Sequence, residues 1–77
     1  MMLDIRLYAT LRQYGADKSG AVAVDVPEPL TVEQLLAKLA IPAAEVKIAM
    51  VNGVSAELNQ VLAAGDRVGL FPPVGGG

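Results

Sequence analysis

Seventy-seven residues make one small domain, and twelve alanines within its 53% hydrophobic fraction leave Val, Leu, Ile and Met to build a modest core. With neither Cys nor His, the chain lacks disulfides, thiolate nucleophiles, the commonest transition-metal ligand and the commonest general base. Six basic and eight acidic residues are dispersed with a net charge of -2, which argues against nucleic acid, and no apolar run has the length of a membrane span.

The N-terminal stretch carries Asp4 and Arg6 where a signal peptide would be apolar, so a cytoplasmic location is expected, with no membrane partner. "MLDIRLY" alternates, with Leu3, Ile5 and Leu7 on one side and Asp4, Arg6 and Tyr8 on the other. That is a strand with one wet face. "ATLRQYG" reads as a single helical turn, with Gly15 as a left-handed stop, and "ADKSG" as a loop. "AVAVDV" supplies a second strand with Val22, Val24 and Val26 on one side, ended by Pro27 and Pro29.

The clearest element is "LTVEQLLAKLAIP". Thr31 is placed as a helix N-cap, and Gln34 three residues later completes a capping box. Leu30 and Leu35 are spaced for a hydrophobic staple. Val32, Leu35, Leu36 and Leu39 form one apolar stripe, and Pro42 is expected to stop the helix.

"EVKIAMVNG" alternates again, and its phase suggests Val46, Ile48 and Met50 inward. Asn52-Gly53 is a strong hairpin signal. A two-residue turn there pairs Met50 with Ser55, a poor core match, which leaves the register of "VSAELNQVL" open. "AAGDRVGLFPP" closes the domain with a turn at Gly65-Asp66 and a last strand whose Val68 and Leu70 point inward. Gly69, on the other side, either admits another backbone closely or weakens the strand. The order strand, strand, helix, strand, short strand, strand predicts a two-layer α+β domain, with a mixed sheet of four to five strands and one main helix on one face. The domain is expected over residues 1–71, with an extended flexible tail over 72–77.

A self-sufficient enzyme is not expected. Asp25, Glu28 and Glu33 read as solvated charges, and Glu33 lies in the helix's first turn, where negative charge is favourable. Asp66 reads as a turn residue, and no carboxylate cluster suggests a metal site. What remains is the end, "FPPVGGG". Its bland reading is a frayed terminus. Its functional reading is a carboxylate held out on the thinnest possible backbone. That group is ionised at neutral pH and attacks the α-phosphate of ATP only where a partner supplies Mg²⁺ and positions the nucleotide. Six residues span at most about 20 Å, enough to cross the wall of an active site. Ordering glycines costs about 1–2 kcal/mol each, so an apolar anchor must carry affinity. Phe71, Pro72, Pro73 and Val74 are placed for that, Phe71 being equally suited to the core.

These residues resemble a known family over essentially the whole length. "LYATLRQYG", "LTVEQLLAKL", "VNG", "LAAGDRVGLFPPV" and the terminal glycines are similar to the ubiquitin-like sulfur carriers, MoaD and ThiS, and most of all to the molybdopterin synthase small subunit. The resemblance implies a ubiquitin-like β-grasp fold with the first and last strands adjacent at the sheet centre. It implies that Gly77 is adenylated by an E1-like enzyme, which uses ATP and Mg²⁺, and becomes a thiocarboxylate, with Gly75 and Gly76 threading the channel. Gly75 departs from the small non-glycine residue common there. No bound cofactor is implied. The implied partners are the adenylating enzyme, a molybdopterin synthase large subunit or thiazole synthase, and a sulfur donor such as a cysteine desulfurase. The other readings are a carrier for thiamine thiazole or another sulfur pathway, a ubiquitin-like modifier joined to lysines, and an interaction module with an inert tail.

Overall fold

The computed structural model describes residues 1–15 and 19–73. Five strands form one sheet in the order β2-β1-β5-β3-β4, with β1 Met2–Leu7, β2 Ala21–Asp25, β3 Ile48–Val51, β4 Val54–Ala56 and β5 Arg67–Phe71. The central pair β1–β5 is parallel and the other three pairings are antiparallel. Helix α1, Val32–Lys38, is the only α-helix among the described residues, and a 3-10 turn, Ala9–Tyr14, follows β1. This is the mixed-sheet β-grasp arrangement, with first and last strands adjacent at the centre.

The core is apolar throughout. Leu3, Ile5 and Leu7 of β1 and Val68 and Leu70 of β5 meet Val32, Leu35 and Leu36 of α1, and no polar side chain among the described residues is buried. Leu11 and Leu62 complete it from the two loop regions and are fully buried. Val26 is buried and Val22 and Val24 are half-buried, as the edge strand β2 requires of its inward side.

Local chemistry sets the ends of α1. Thr31 Oγ1 accepts from the Gln34 N–H at 3.2 Å, and Gln34 Oε1 accepts from the Thr31 N–H at 2.9 Å, so the capping box forms. The helix stops four residues before Pro42, sooner than expected, and Leu39 is its half-buried C-cap. Ala40 turns left-handed at φ 59, while the Ala40 and Ile41 N–H groups bond back to the carbonyls of Ala37 and Leu36. That is a Schellman termination with alanine where glycine is usual, and it drops Ile41 into the core.

Two expectations need correction, and one open register is resolved. Gly15 is not left-handed, since its φ is -85. The left-handed residue is Ala9 at φ 52, at the entrance to the 3-10 turn, where the chain leaves β1. The phase of β3 is also reversed: Ala49 and Val51 are buried, Ile48 is 46% exposed, and Met50 lies half-buried on the other face. Val46 reaches the core's margin from the turn before the strand. The cause is pairing with β5, which sets Ala49 opposite Leu70 and Val51 opposite Val68, so the inward residues of β5 fix those of β3. The open register is the direct one, with Met50 opposite Ser55. The poor match disappears because neither side chain belongs to the core.

The hairpin turn has Asn52 at φ 53 and Gly53 at φ 83, the positive pair that type I′ requires. Asn52 also binds the next turn. Its Nδ2 donates to Asp66 Oδ1 at 3.0 Å, and its Oδ1 accepts from the Arg67 N–H at 3.0 Å. Asp66 Oδ2 accepts from the Ala63 N–H at 2.8 Å, so Asp66 is a turn residue.

Relieving the left-handed alanine at the helix end is expected to stabilise the protein. Ala40→Gly should raise the unfolding free energy by about 1 kcal/mol, read from urea denaturation with an unchanged m-value.

Candidate functional site

The face of the sheet opposite α1 was expected to be polar. At the end where β5 leaves the sheet it is instead largely apolar. The alternation that buries Leu7, Leu70 and Ala49 sends their neighbours Tyr8, Phe71 and Ile48 to this face. Tyr8 and Phe71 lie side by side on the parallel central strands with ring centroids 4.3 Å apart and planes 4° from parallel. The Tyr8 N–H donates to the Leu70 carbonyl at 3.1 Å and the Lys47 N–H to the Phe71 carbonyl at 2.8 Å, so backbone bonds on both flanks fix where β5 ends.

Phe71 is therefore half-buried on the open face and is not part of the core. Pro72 is half-buried and Pro73 exposed. With Tyr8, Ile48, Lys47 and Phe71 they line a groove of about 700 Å³ at the exit of β5. A second cavity of about 420 Å³ adjoins it over Gly69, between Met50 and the arginines Arg6 and Arg67. Phe71, Pro72 and Pro73 are thus brought together. Val74, Gly75, Gly76 and Gly77 lie outside the described residues.

The sequence reading placed Tyr8 on this face but gave it no role, and it did not assign Ile48, Met50 or Lys47 here. Tyr8 carried a usable signal, because a large aromatic on the wet side of an alternating strand marks an exposed apolar place. Ile48 and Met50 carried a misleading one, since apolar residues at alternate positions are ordinarily assigned to the core.

One polar contact braces the groove. Tyr14 Oη donates to both oxygens of Glu45, at 2.9 and 2.8 Å, tying the 3-10 turn after β1 to the turn before β3. That hydrogen bond, then burial, then the carboxylate's negative charge raise the Tyr14 pKa above its ordinary value of 10.0. Because the folded pKa is raised, the contribution to stability is present below pH 10 and is lost as pH rises through the higher value. Among the described residues no group of acidic side chains could hold a metal ion, and no helix is long and apolar enough to cross a membrane.

The profile of the ThiS family matches residues 5–77. The chain belongs to the ThiS family. Among solved structures, small archaeal modifier protein 1 of Haloferax volcanii is 34% identical, with 95% of this chain and 98% of that chain covered and a TM-score of 0.73. Subunit 1 in the complex of subunits 1 and 2 of molybdopterin-converting factor from Helicobacter pylori shares the fold at 24% identity, full coverage of both chains and a TM-score of 0.65. A thiamine biosynthesis protein from Geobacter metallireducens shares it at 24% identity, with 96% and 87% of the two chains covered and a TM-score of 0.55. No curated protein matches the chain. Membership in this family makes the chain a small ubiquitin-like carrier or modifier and not an enzyme in its own right.

Two outcomes follow from the geometry. Phe71→Ala should cost only about 1–2 kcal/mol of stability, because the ring is half-buried and stacked on one neighbour, while weakening partner binding at least about tenfold. Urea denaturation beside a binding titration separates the two effects. In a Tyr8→Phe background, Glu45→Gln should bring Tyr14 ionisation down toward pH 10, read from tyrosinate absorbance.

Proposed function

We propose that the chain is a sulfur carrier whose C-terminal Gly77 is the reacting residue. The observation that carries this reading is the apolar groove of Tyr8, Ile48, Phe71, Pro72 and Pro73 at the exit of β5, beside the point where the tail begins. The folded domain offers the anchor that glycines 75–77 lack, and the tail offers the carboxylate. An E1-like partner supplies ATP, Mg²⁺ and the catalytic groups. A carboxylate oxygen attacks the α-phosphorus, pyrophosphate leaves, and an acyl-adenylate forms. The terminal sulfur of a persulfide, from a donor such as a cysteine desulfurase, then displaces AMP. A thiol cleaves the resulting acyl disulfide, leaving the thiocarboxylate and a disulfide.

Sulfur delivery in molybdopterin biosynthesis, with a synthase large subunit as acceptor, is the pathway favoured. Its support is the 3-10 turn that follows β1, the "FPPV" run ahead of the glycines, and the fold shared with a molybdopterin-converting factor subunit seen in complex with subunit 2. A second reading is a protein modifier joined to lysines through the same activated glycine. The 34% identity to small archaeal modifier protein 1 over nearly the whole chain favours it. Both readings begin with adenylation of Gly77 and diverge at the nucleophile that follows.

Intact mass of the protein from its native host distinguishes them. Replacement of one oxygen by sulfur is expected for the carrier, and isopeptide-linked adducts identify the modifier. Deleting Gly77 should abolish acyl-adenylate formation while the urea unfolding curve stays unchanged; acyl-AMP on the truncated chain would remove Gly77 from the site.

A further inference from the structure

The two edges of the sheet differ. β4 spans three residues, and shortness itself guards an edge. β2 spans five, and its register with β1 runs without a bulge from Met2 opposite Asp25 to Arg6 opposite Ala21. Natural sheets protect an edge of this kind with Lys, Pro or a bulge, and "AVAVD" contains none of them. The Leu7 N–H donates to the Gly20 carbonyl at 2.7 Å and the Val26 N–H to the Met1 carbonyl at 2.8 Å, so Gly20, Val22, Val24 and Val26 turn their backbone polar groups toward β1. Alternation turns those of Ala21, Ala23 and Asp25 outward. Pro27 ends the free ladder on one side and the left-handed Gly20, at φ 86, on the other, which leaves the small, half-buried-to-exposed stretch centred on Ala23.

That centre makes the strand its own complement. Antiparallel pairing of Ala23 with Ala23 of a second copy sets Ala21 opposite Asp25 and Val22 opposite Val24. The half-buried valines of each copy then cover those of the other, and no charge faces its like. The flanks match as well. A Cβ on Gly20 would lie 3.4 Å from Arg12 Cγ, so the arginine stem runs over one end of β2. Glu28 follows the other end, in a small hollow that it shares with Lys38 without an ion pair. Asp25 already pairs with the Met1 ammonium at 3.1 Å, whereas neither Arg12 nor Glu28 has an ion-pair partner among the described residues. The same register sets Gly20 opposite Val26 of the second copy and brings each Arg12 beside the other copy's Glu28.

We infer that β2 is a homodimerisation edge, paired antiparallel with β2 of a second copy about a twofold axis at Ala23, with Arg12 of each copy against Glu28 of the other. The axis stands perpendicular to the sheet, so one sheet runs through both copies, with both α1 helices on one side of it. β1 separates β2 from β5, so the groove at Phe71 stays uncovered in each copy. Pairing along one strand edge buries less than about 1,200 Å², which makes the dimer weak and concentration-dependent.

The test is sedimentation of the full chain from about 5 μM to about 1 mM, with amide exchange read at both ends of the range. The weight-average mass should climb from that of one chain toward twice that value, and the Ala23 and Asp25 amides should exchange at least about tenfold more slowly at the high concentration. Ala23→Pro removes the central donor at a position facing away from β1, and it should raise the dimer Kd at least about tenfold. Ala23→Lys sets like charges opposite each other at the axis, should act in the same direction, and carries the test if the proline variant does not fold. Arg12→Glu and Glu28→Arg should each raise Kd about threefold, and the two together should restore it. A chain that stays monomeric throughout overturns the proposal, whatever other strand the edge accepts. A dimer untouched by the folded Ala23 variants uses another surface and overturns it too, and charge variants that change Kd without mutual rescue overturn the register centred on Ala23.

Discussion

The parallel pairing of β1 with β5 is the constraint from which the other features follow. Ile5 lies opposite Val68 and Leu7 opposite Leu70, and all four side chains are buried beneath α1. A strand alternates strictly, so burying these four commits Arg6, Tyr8, Gly69 and Phe71 to the opposite face. The commitment spreads sideways through the ladder. β3 joins β5 with Ala49 and Val51 inward, which sends Ile48 and Met50 outward beside the aromatic pair. An apolar core on one side of the central strands and a mixed apolar and basic surface on the other thus arise from one register.

That register also sets where the chain comes out. β5 is the last strand and lies between β1 and β3, so its end is held on both sides before the prolines begin. A terminus leaving an edge strand would have neighbours on one side only. Here Tyr8 from one neighbour and Ile48 from the other flank Phe71, and Pro72 and Pro73 continue from that point. A side chain truncated on this face leaves the inward layer of Leu, Ile and Val untouched, so surface chemistry and stability are separable in this protein.

Two parts of the molecule show how far the residues speak for themselves. The helix start was legible because a capping box is a local interaction, complete within Thr31 to Gln34. The hairpin was legible for the same reason, since Asn52-Gly53 supplies both positive φ values without outside help. The phase of β3 was not. Val46, Ile48 and Met50 are larger and more apolar than Ala49, and hydrophobicity alone favours burying them. The partner strand decided otherwise, because Val68 and Leu70 already faced the helix. Gly15 failed in a related way: its N–H closes the 3-10 turn on the Arg12 carbonyl while Gly15 itself stays extended, and the left-handed residue is Ala9, at the point of departure from β1.

The sequence by itself determined the inventory and order of elements, the helix N-cap, the hairpin turn, the inward residues of the first and last strands, and the family likeness. These rest on interactions among residues a few positions apart, or on a period that one strand displays alone. Tertiary structure decided which face of β3 is buried, that Phe71 stands outside the core stacked on Tyr8, and that Arg6, Met50, Arg67 and Gly69 share one hollow. Those outcomes depend on which strand lies beside which, with partners more than sixty residues apart in the case of β1 and β5. Hydrophobic burial is non-directional, so it cannot choose between two apolar faces of a strand until a neighbour fixes one of them.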